Sequence, residues 1–343
     1  MRTALLIVLL ALAPDAGAVQ KEVGAAAAEF LRLGAGARAL GMGEAYSAVA
    51  EGPDAVYWNP AGLARMARPE LAYTRCELPA GLHQDFGAAA VPSRLLRGAI
   101  AFAVTRFSQE SLDLVDANNQ TRGSFAPHSE VYALAYGHQF SGGDPVESAR
   151  DYFGDSWNVP NMERPLGYEK EPWTGEISAG LSIKVLDESL GTRHAATFAV
   201  DGGGLFRPVD WHDLIVAGAF RHVGDRERFI ADSAPLPAEF AGALAYEVRL
   251  WDKWRLLPAL EADIPYAGNP YGKLGFEAEH LVAAGVAAAV RLGYNGRTLP
   301  DLGAFSGFSA GIGLRIKRFS FDSAFQPMGV LGESFRLSVG WRF

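Results

Sequence analysis

The sequence predicts an all-β protein, a transmembrane antiparallel β-barrel of about fourteen strands with an N-terminal helical and loop segment as its plug. Three observations carry this. Apolar residues recur with period 2 from residue 69 to the C-terminus. The alternating segments run to roughly ten residues, the length of a tilted membrane strand, where soluble strands average about five or six. No run of about eighteen apolar residues follows residue 18, so a membrane-embedded chain has to span as a closed barrel.

The first residues read as a signal peptide, 1–18. Arg2 supplies the basic start, Ala4 to Leu12 the apolar stretch, and Ala16-Gly17-Ala18 the small-x-small cleavage site, placing a mature N-terminus at Val19. The apolar stretch is too short for a bilayer core of about 30 Å, which disfavours an uncleaved anchor. No Cys follows the cleavage site, which disfavours a lipid anchor. A cleaved signal and a barrel together imply the bacterial outer membrane.

Residues 19–68 are not strand-like. Ala25 to Leu33 is Ala-rich and helix-compatible. Asn59-Pro60 reads as an N-cap followed by Pro at the first helical position, opening a short turn over Ala61 to Ala64, and Asp54 is a candidate cap just before it. The alternative, a disordered extension, is opposed by Phe30, Leu31, Leu33, Leu40, Met42, Tyr46, Val56, Tyr57 and Trp58.

Residues 69–343 divide into strands near 70–77, 83–91, 97–115, 130–140, 174–187, 194–207, 212–223, 237–249, 254–264, 270–281, 284–294, 306–317, 319–327 and 333–343. In the last, Phe335, Leu337, Val339, Trp341 and Phe343 alternate with Ser334, Arg336, Ser338, Gly340 and Arg342. A soluble sandwich also alternates. Strand length favours the membrane reading, and so do aromatics near segment ends: Tyr294, Trp211, Trp251, Trp254, Phe319, Trp341 and Phe343.

If the first strand runs outward, the short links fall on the periplasmic side and longer Gly, Pro, Asp and Asn-rich links outside. The exception is 141–173, a long stretch on the periplasmic side. Either it is an insertion, the preferred reading, or the count is off by one strand before it. Small inward residues, Ala241, Ala243, Ala245, Ala287 and Ala289, leave room in a barrel already wider than its side chains fill.

The chain is acidic, with a net charge of −8, which opposes a nucleic-acid partner. Cys76 is the one cysteine, with no ligand spacing around it, and reads as a packing residue. No His lies in a hydrolase or metalloprotease motif. Gly202-Gly203-Gly204 lacks the Lys-Ser/Thr of a phosphate loop and reads as a strand where something packs closely against the backbone. No catalytic residue, metal site or cofactor is therefore expected.

The functional lead is the set of charges on the inner face: Asp201, Glu239, Glu247, Arg249, Glu261, Asp263, Lys273, Glu277, Glu279, Arg291, Arg315 and Arg336. Among them Asp201, Glu247, Asp263, Glu277 and Arg291 are the leading candidates. Generic lumen solvation and cross-strand pairing is the competing explanation. Asp263 and Glu277 are the first choices as anchors for the plug, with Arg38 as their counterpart.

A family resemblance rests on two blocks. The run Phe30 to Tyr46, containing Gly34, Arg38, Gly41, Met42 and Gly43, and the run Pro53 to Leu63, containing Asn59, Pro60, Ala61 and Gly62, resemble the start of PorV/PorQ-type proteins. These are relatives of the FadL hydrophobic-compound transporters, and Asn59-Pro60-Ala61 resembles the FadL hatch motif. Leu236 to Tyr294 is similar to the second half of such barrels. Trp341-Arg342-Phe343 resembles the aromatic terminus read by barrel-assembly machinery. The resemblance implies a FadL-like barrel of fourteen strands plugged by its N-terminal segment, and 141–173 departs from it. Outer-membrane lipid and the assembly machinery are then the expected partners. For function it implies either a secretion-associated barrel of type IX character that contacts exported protein and secretion components, or a channel for hydrophobic small molecules gated by the plug. A channel should show a continuous apolar pocket between plug and wall.

Overall fold

The computed structural model describes residues 26–93, 95–116, 120–142, 175–190, 193–211, 213–229, 232–251 and 253–343. The expected signal peptide and cleavage site lie outside these residues, as does the 141–173 stretch beyond Gly142.

Fourteen antiparallel strands form a closed ring: β1 (Glu70–Glu77), β2 (Leu82–Ser93), β3 (Gly98–Gln109), β4 (His128–Ser141), β5 (Glu176–Leu190), β6 (Arg193–Arg207) and β7 (Leu214–Gly224). The second half is β8 (Glu239–Tyr246, continued by Val248–Leu250), β9 (Trp254–Pro265), β10 (Tyr271–Ala283), β11 (Val286–Asn295), β12 (Phe308–Ile316), β13 (Phe319–Pro327) and β14 (Glu333–Arg342). Each strand pairs with its neighbours in sequence, and β14 closes on β1, with Glu70 opposite Arg342 and Glu77 opposite Phe335. The seam is fastened by the Phe343 N–H donating to the Pro69 carbonyl at 3.0 Å and by an Arg342–Glu70 ion pair at 2.9 Å. Closure leaves no edge strand, so every ladder is paired without water.

Alternation fixes the two faces. Outward side chains are large and apolar, among them Ile312 and Leu292, each 64% exposed. Exposed Trp211, Trp251, Trp254, Phe319, Trp341 and Phe343 gather at the end bearing both termini of the barrel. Such a surface is compatible with hydrocarbon and not with water. Tyr294, at the opposite end, is half-buried and packs edge-on against Phe308.

The predicted strand boundaries shift in two places. The expected strand 97–115 ends at Gln109. Leu112–Val115 instead pairs with Thr121–Phe125 as a separate hairpin beyond the ring. The strand expected over 237–249 is interrupted at Glu247, and Arg249, expected on the inner face, has an exposed side chain at the rim. The count before residue 141 is not off by one: β4 and β5 are direct neighbours, so their link leaves from the end that carries the short turns.

Residues 26–68 lie inside the ring as short helices and turns. These include a 3₁₀ turn Glu29–Leu33, α1 (Ala37–Gly41), α2 (Ala55–Trp58) and a 3₁₀ turn Pro60–Arg65. Asn59 accepts from the Ala61 N–H at 3.1 Å, so the cap-then-proline reading holds locally. Asp54 precedes α2 but its side chain makes no cap hydrogen bond; its backbone is already helical there. The apolar residues that opposed disorder are the core: Leu40, Met42, Tyr46, Val56, Trp58 and Leu63 are all at most 2% exposed.

Candidate functional site

The inner segment spans the ring between two opposite walls, and the first motif block reaches both, with Phe30 stacked on Phe107 of β3. The Pro60–Arg65 turn packs on β3 to β6, while α1 packs on β11 to β14.

Each wall offers a shelf without side chains. On one, Gly137, Gly180 and Gly203 are cross-strand neighbours in β4, β5 and β6. A Cβ on Gly137 or Gly180 would collide with Pro60 backbone, and one on Gly203 with the Asn59 side chain. Asn59 Nδ2 also donates to the Ser47 and Gly204 carbonyls at 3.0 and 3.3 Å. On the other wall, Gly275 and Gly293 are paired in β10 and β11, and Gly311 lies on β12. A Cβ on Gly293 would collide with Gly43 backbone and one on Gly275 with Met42, while one on Gly311 would press on the Gly41 Cα at 3.1 Å. Gly43 itself has φ +62 and its own Cβ would strike Tyr294 and Leu274 backbone, so it serves both conformation and approach. The close backbone approach expected at Gly202-Gly203-Gly204 is made by Asn59.

The walls differ in chemistry. Inward positions of β2 to β4 carry Phe86, Ala88, Ala90, Ala99, Ala101, Ala103, Val131, Ala133 and Ala135, all buried and uncharged. Inward positions of β9 to β12 carry Arg255, Glu261, Asp263, Lys273, Glu277, Glu279, Arg291 and Arg315.

Charge-assisted bonds tie the segment to the second wall. Arg38 grips Glu277 with both ends of its guanidinium, Nε–Oε2 at 2.7 Å and Nη2–Oε1 at 2.8 Å, and reaches Glu51 at 2.5 Å. Glu277 also receives Arg255 at 2.8 Å and Arg291 at 2.6 Å, and Arg291 continues to Asp322 at 2.7 Å. Glu261 Oε2 accepts the Tyr46 and Ser47 N–H groups at 2.9 and 2.8 Å. Asn295 donates to Glu44 at 2.9 Å, and Arg336 bonds the Leu33 carbonyl.

Of the predicted anchors, Glu277 meets Arg38. Asp263 does not: it is held by Arg221 at 2.6 Å and Lys273 at 2.7 Å, both on barrel strands. Arg221 was absent from the sequence reading although its parity points inward. It joins Glu239, Glu261 and Asp263 to Ser47 Oγ and stacks on Trp58. Asp201 pairs with Lys184, a second inward charge that the sequence did not single out, and accepts the His222 backbone N–H at 2.8 Å. Glu247 sits near the rim with Arg207 at 3.6 Å and Arg249 at 2.9 Å. The period-2 rule was sufficient to find Arg221 and Lys184; what it lacked was a reason to single them out.

A polar cavity of about 90 Å³ opens beneath the segment at the end with the short turns, between Arg38, Glu51, Asp54, Asp322 and Arg342. One Asp54 carboxylate oxygen is buried without a hydrogen-bond partner among the described residues. Burial, with Asp322 next in weight and then Glu70 and Glu51, outweighs Arg38 and pushes its carboxyl up to about 7. On the apolar side, the gap between Phe30, Leu31, Val56 and Tyr57 and the β2–β4 wall measures about 10 Å³, no more than the space of one water molecule. The segment thus packs nearly flush, and the continuous apolar pocket expected of a channel is absent among the described residues; on that criterion the geometry counts against a channel that is open in this state.

No family model matches the chain, and no curated protein matches it, so the PorV/PorQ resemblance rests on its motif residues alone. Solved structures do match. The toluene transporter TodX of Pseudomonas putida is 12% identical, covers 90% of this chain and 98% of its own, and gives a TM-score of 0.52. A ΔS2S3 mutant of the TodX monoaromatic hydrocarbon channel gives 11%, the same coverage and 0.50. A FadL homologue of Pseudomonas aeruginosa gives 11%, the same coverage and 0.46. The likeness is one of fold alone, that of a closed antiparallel β-barrel.

Proposed function

We propose that this chain is an outer-membrane channel for hydrophobic small molecules, closed in the present state by its N-terminal segment. The observation that carries the reading is the division of the lumen into an uncharged β2–β4 wall and an ionised β9–β12 wall. A hydrocarbon on the ionised wall would strip solvent or partners from buried charges, at a cost of several kcal/mol per ion. On the β2–β4 wall it meets methyl and phenyl groups. Passage therefore follows the alanine wall, and it requires Val56, Tyr57 and the Pro60–Arg65 turn to withdraw while Arg38 and Glu261 hold the other side. The fold it shares with TodX, whose cargo is toluene, supports the same reading. Nothing in the comparisons bears on secretion, so the channel displaces the secretion-associated barrel as the preferred function.

The test is toluene accumulation in vesicles containing the purified protein. Faster equilibration than in protein-free vesicles, abolished by cross-linking the segment to the wall, is the expected result. Rates equal to bare lipid would reject a channel. Recovery of secretion components, with no effect on toluene, would restore the secretion reading.

A further inference from the structure

The gap between the segment and the alanine wall is lined mostly by apolar side chains, with Gln84, Thr105 and Lys184 among them. Gln84, on β2, is 3% exposed. Its amide orientation is set by the Nε2 group donating to the Gly34 carbonyl at 3.2 Å. That leaves Oε1 as a carbonyl acceptor, buried and without a hydrogen-bond partner among the described residues. An unmet buried acceptor is costly, and a ligand that supplies a donor recovers that cost where its hydrocarbon isostere does not.

Lys184 answers a different question, namely whether the site is built for an anion. Its ammonium is already paired with Asp201, lies 3.4 Å from His222 Nδ1 and sits 5.1 Å over the Tyr57 ring. Its charge is compensated by the wall, so a carboxylate entering here would meet no net positive site. Thr105 offers a hydroxyl, which adapts to donor or acceptor. The arrangement selects for a neutral molecule.

We propose that Gln84 is a specificity-determining residue of the closed gap, and that the ligand it takes is a small neutral aromatic or aliphatic molecule bearing one hydroxyl or N–H donor, of the phenol class. The proposal rests on the channel reading, because a ring enters only when Val56 and Tyr57 draw back from Phe86 and Ala103. The donor then bonds Gln84 Oε1 while the ring lies on the alanine face.

Phenol and toluene test this well, since they differ by a hydroxyl in place of a methyl at nearly equal size. Equilibrium dialysis against the full chain in lipid nanodiscs, corrected with empty nanodiscs, gives the bound phenol-to-toluene ratio; benzoate is the third probe. Wild type is expected to favour phenol by about tenfold after correction, and Gln84→Leu to lose that preference. Losing the Gly34 contact alone would weaken both probes together and leave the ratio unchanged, so an unchanged ratio in Gln84→Leu overturns the proposal. A wild-type preference for toluene overturns it without any variant, which keeps it falsifiable if Gln84→Leu does not fold. Strongest binding of benzoate also overturns it, assigning selection to Lys184. In those three cases the channel reading stands. Failure of all probes to bind above empty nanodiscs removes both.

Discussion

Arg38 is the residue on which the charged side of the segment turns. Replacing it with Met removes a two-pronged grip on Glu277 but leaves that carboxylate with Arg255 and Arg291. The expected cost is therefore moderate, about 2 kcal/mol of segment docking, read as faster amide exchange over residues 37–47 with the barrel unchanged. Equal exchange in wild type and Arg38→Met would show that the grip contributes nothing. Asp54 gives a pH dependence of determinate sign. It keeps its proton up to about pH 7 in the folded chain, whereas an ordinary Asp loses it near about 4. The folded state holds more protons across that window, so docking is strongest below about pH 4, weakens as pH rises to 7, and levels off above. Protease cleavage of the segment should follow that curve in wild type and lose its dependence in Asp54→Asn. Arg38 as partner to a lumen carboxylate was legible from sequence because a cation in the middle of a Gly-rich, apolar block needs a buried acid. Which acid was not: Asp263 and Glu277 both point inward from neighbouring strands, and only their height separates them, Glu277 lying opposite Leu257 and Asp263 opposite Tyr271, six positions further along β9.

At the level of elements, the glycine shelves are the feature that joins segment to barrel. Gly180→Ala and Gly293→Ala each place a methyl into segment backbone, Pro60 in one case and Gly43 in the other. Each is expected to cost about 1–3 kcal/mol of docking. Gly242→Ala is the control, since a methyl there has nothing within 4 Å. Increased N-terminal protease sensitivity in the first two, with none in the third, is the predicted pattern; three equal outcomes would separate the shelves from docking. Asn59→Ala should resemble Gly180→Ala, because it removes both the Ala61 cap and the bond to Gly204. The two motif blocks were visible in sequence as glycine clusters, and the strand glycines were visible too. Their complementarity was hidden, because 77 residues separate Pro60 from Gly137 in the numbering and nothing local links them.

For the whole molecule, closure of the ring and filling of the ring are separable. The fourteen strands pair with one another completely, from β1 to β14 and back. A chain lacking residues 26–66 is accordingly expected to assemble with its heat-dependent gel mobility intact and to conduct ions through a lumen now filled with water. The full chain in planar bilayers should conduct little. A deletion that fails to assemble would show that the segment is part of the barrel's folding core rather than its gate.

The sequence alone determined the strand count, the outward and inward faces and the presence of an apolar N-terminal block. Period-2 alternation is a local property of the backbone, and a two-sided strand writes it directly into the order of residues. The tertiary structure decided which wall is charged and which is dry, that Glu277 rather than Asp263 takes Arg38, and that the segment fits almost flush against alanine. The first and last depend on which strands face each other across the ring, and the second on height along two paired strands; neither is written in sequence spacing.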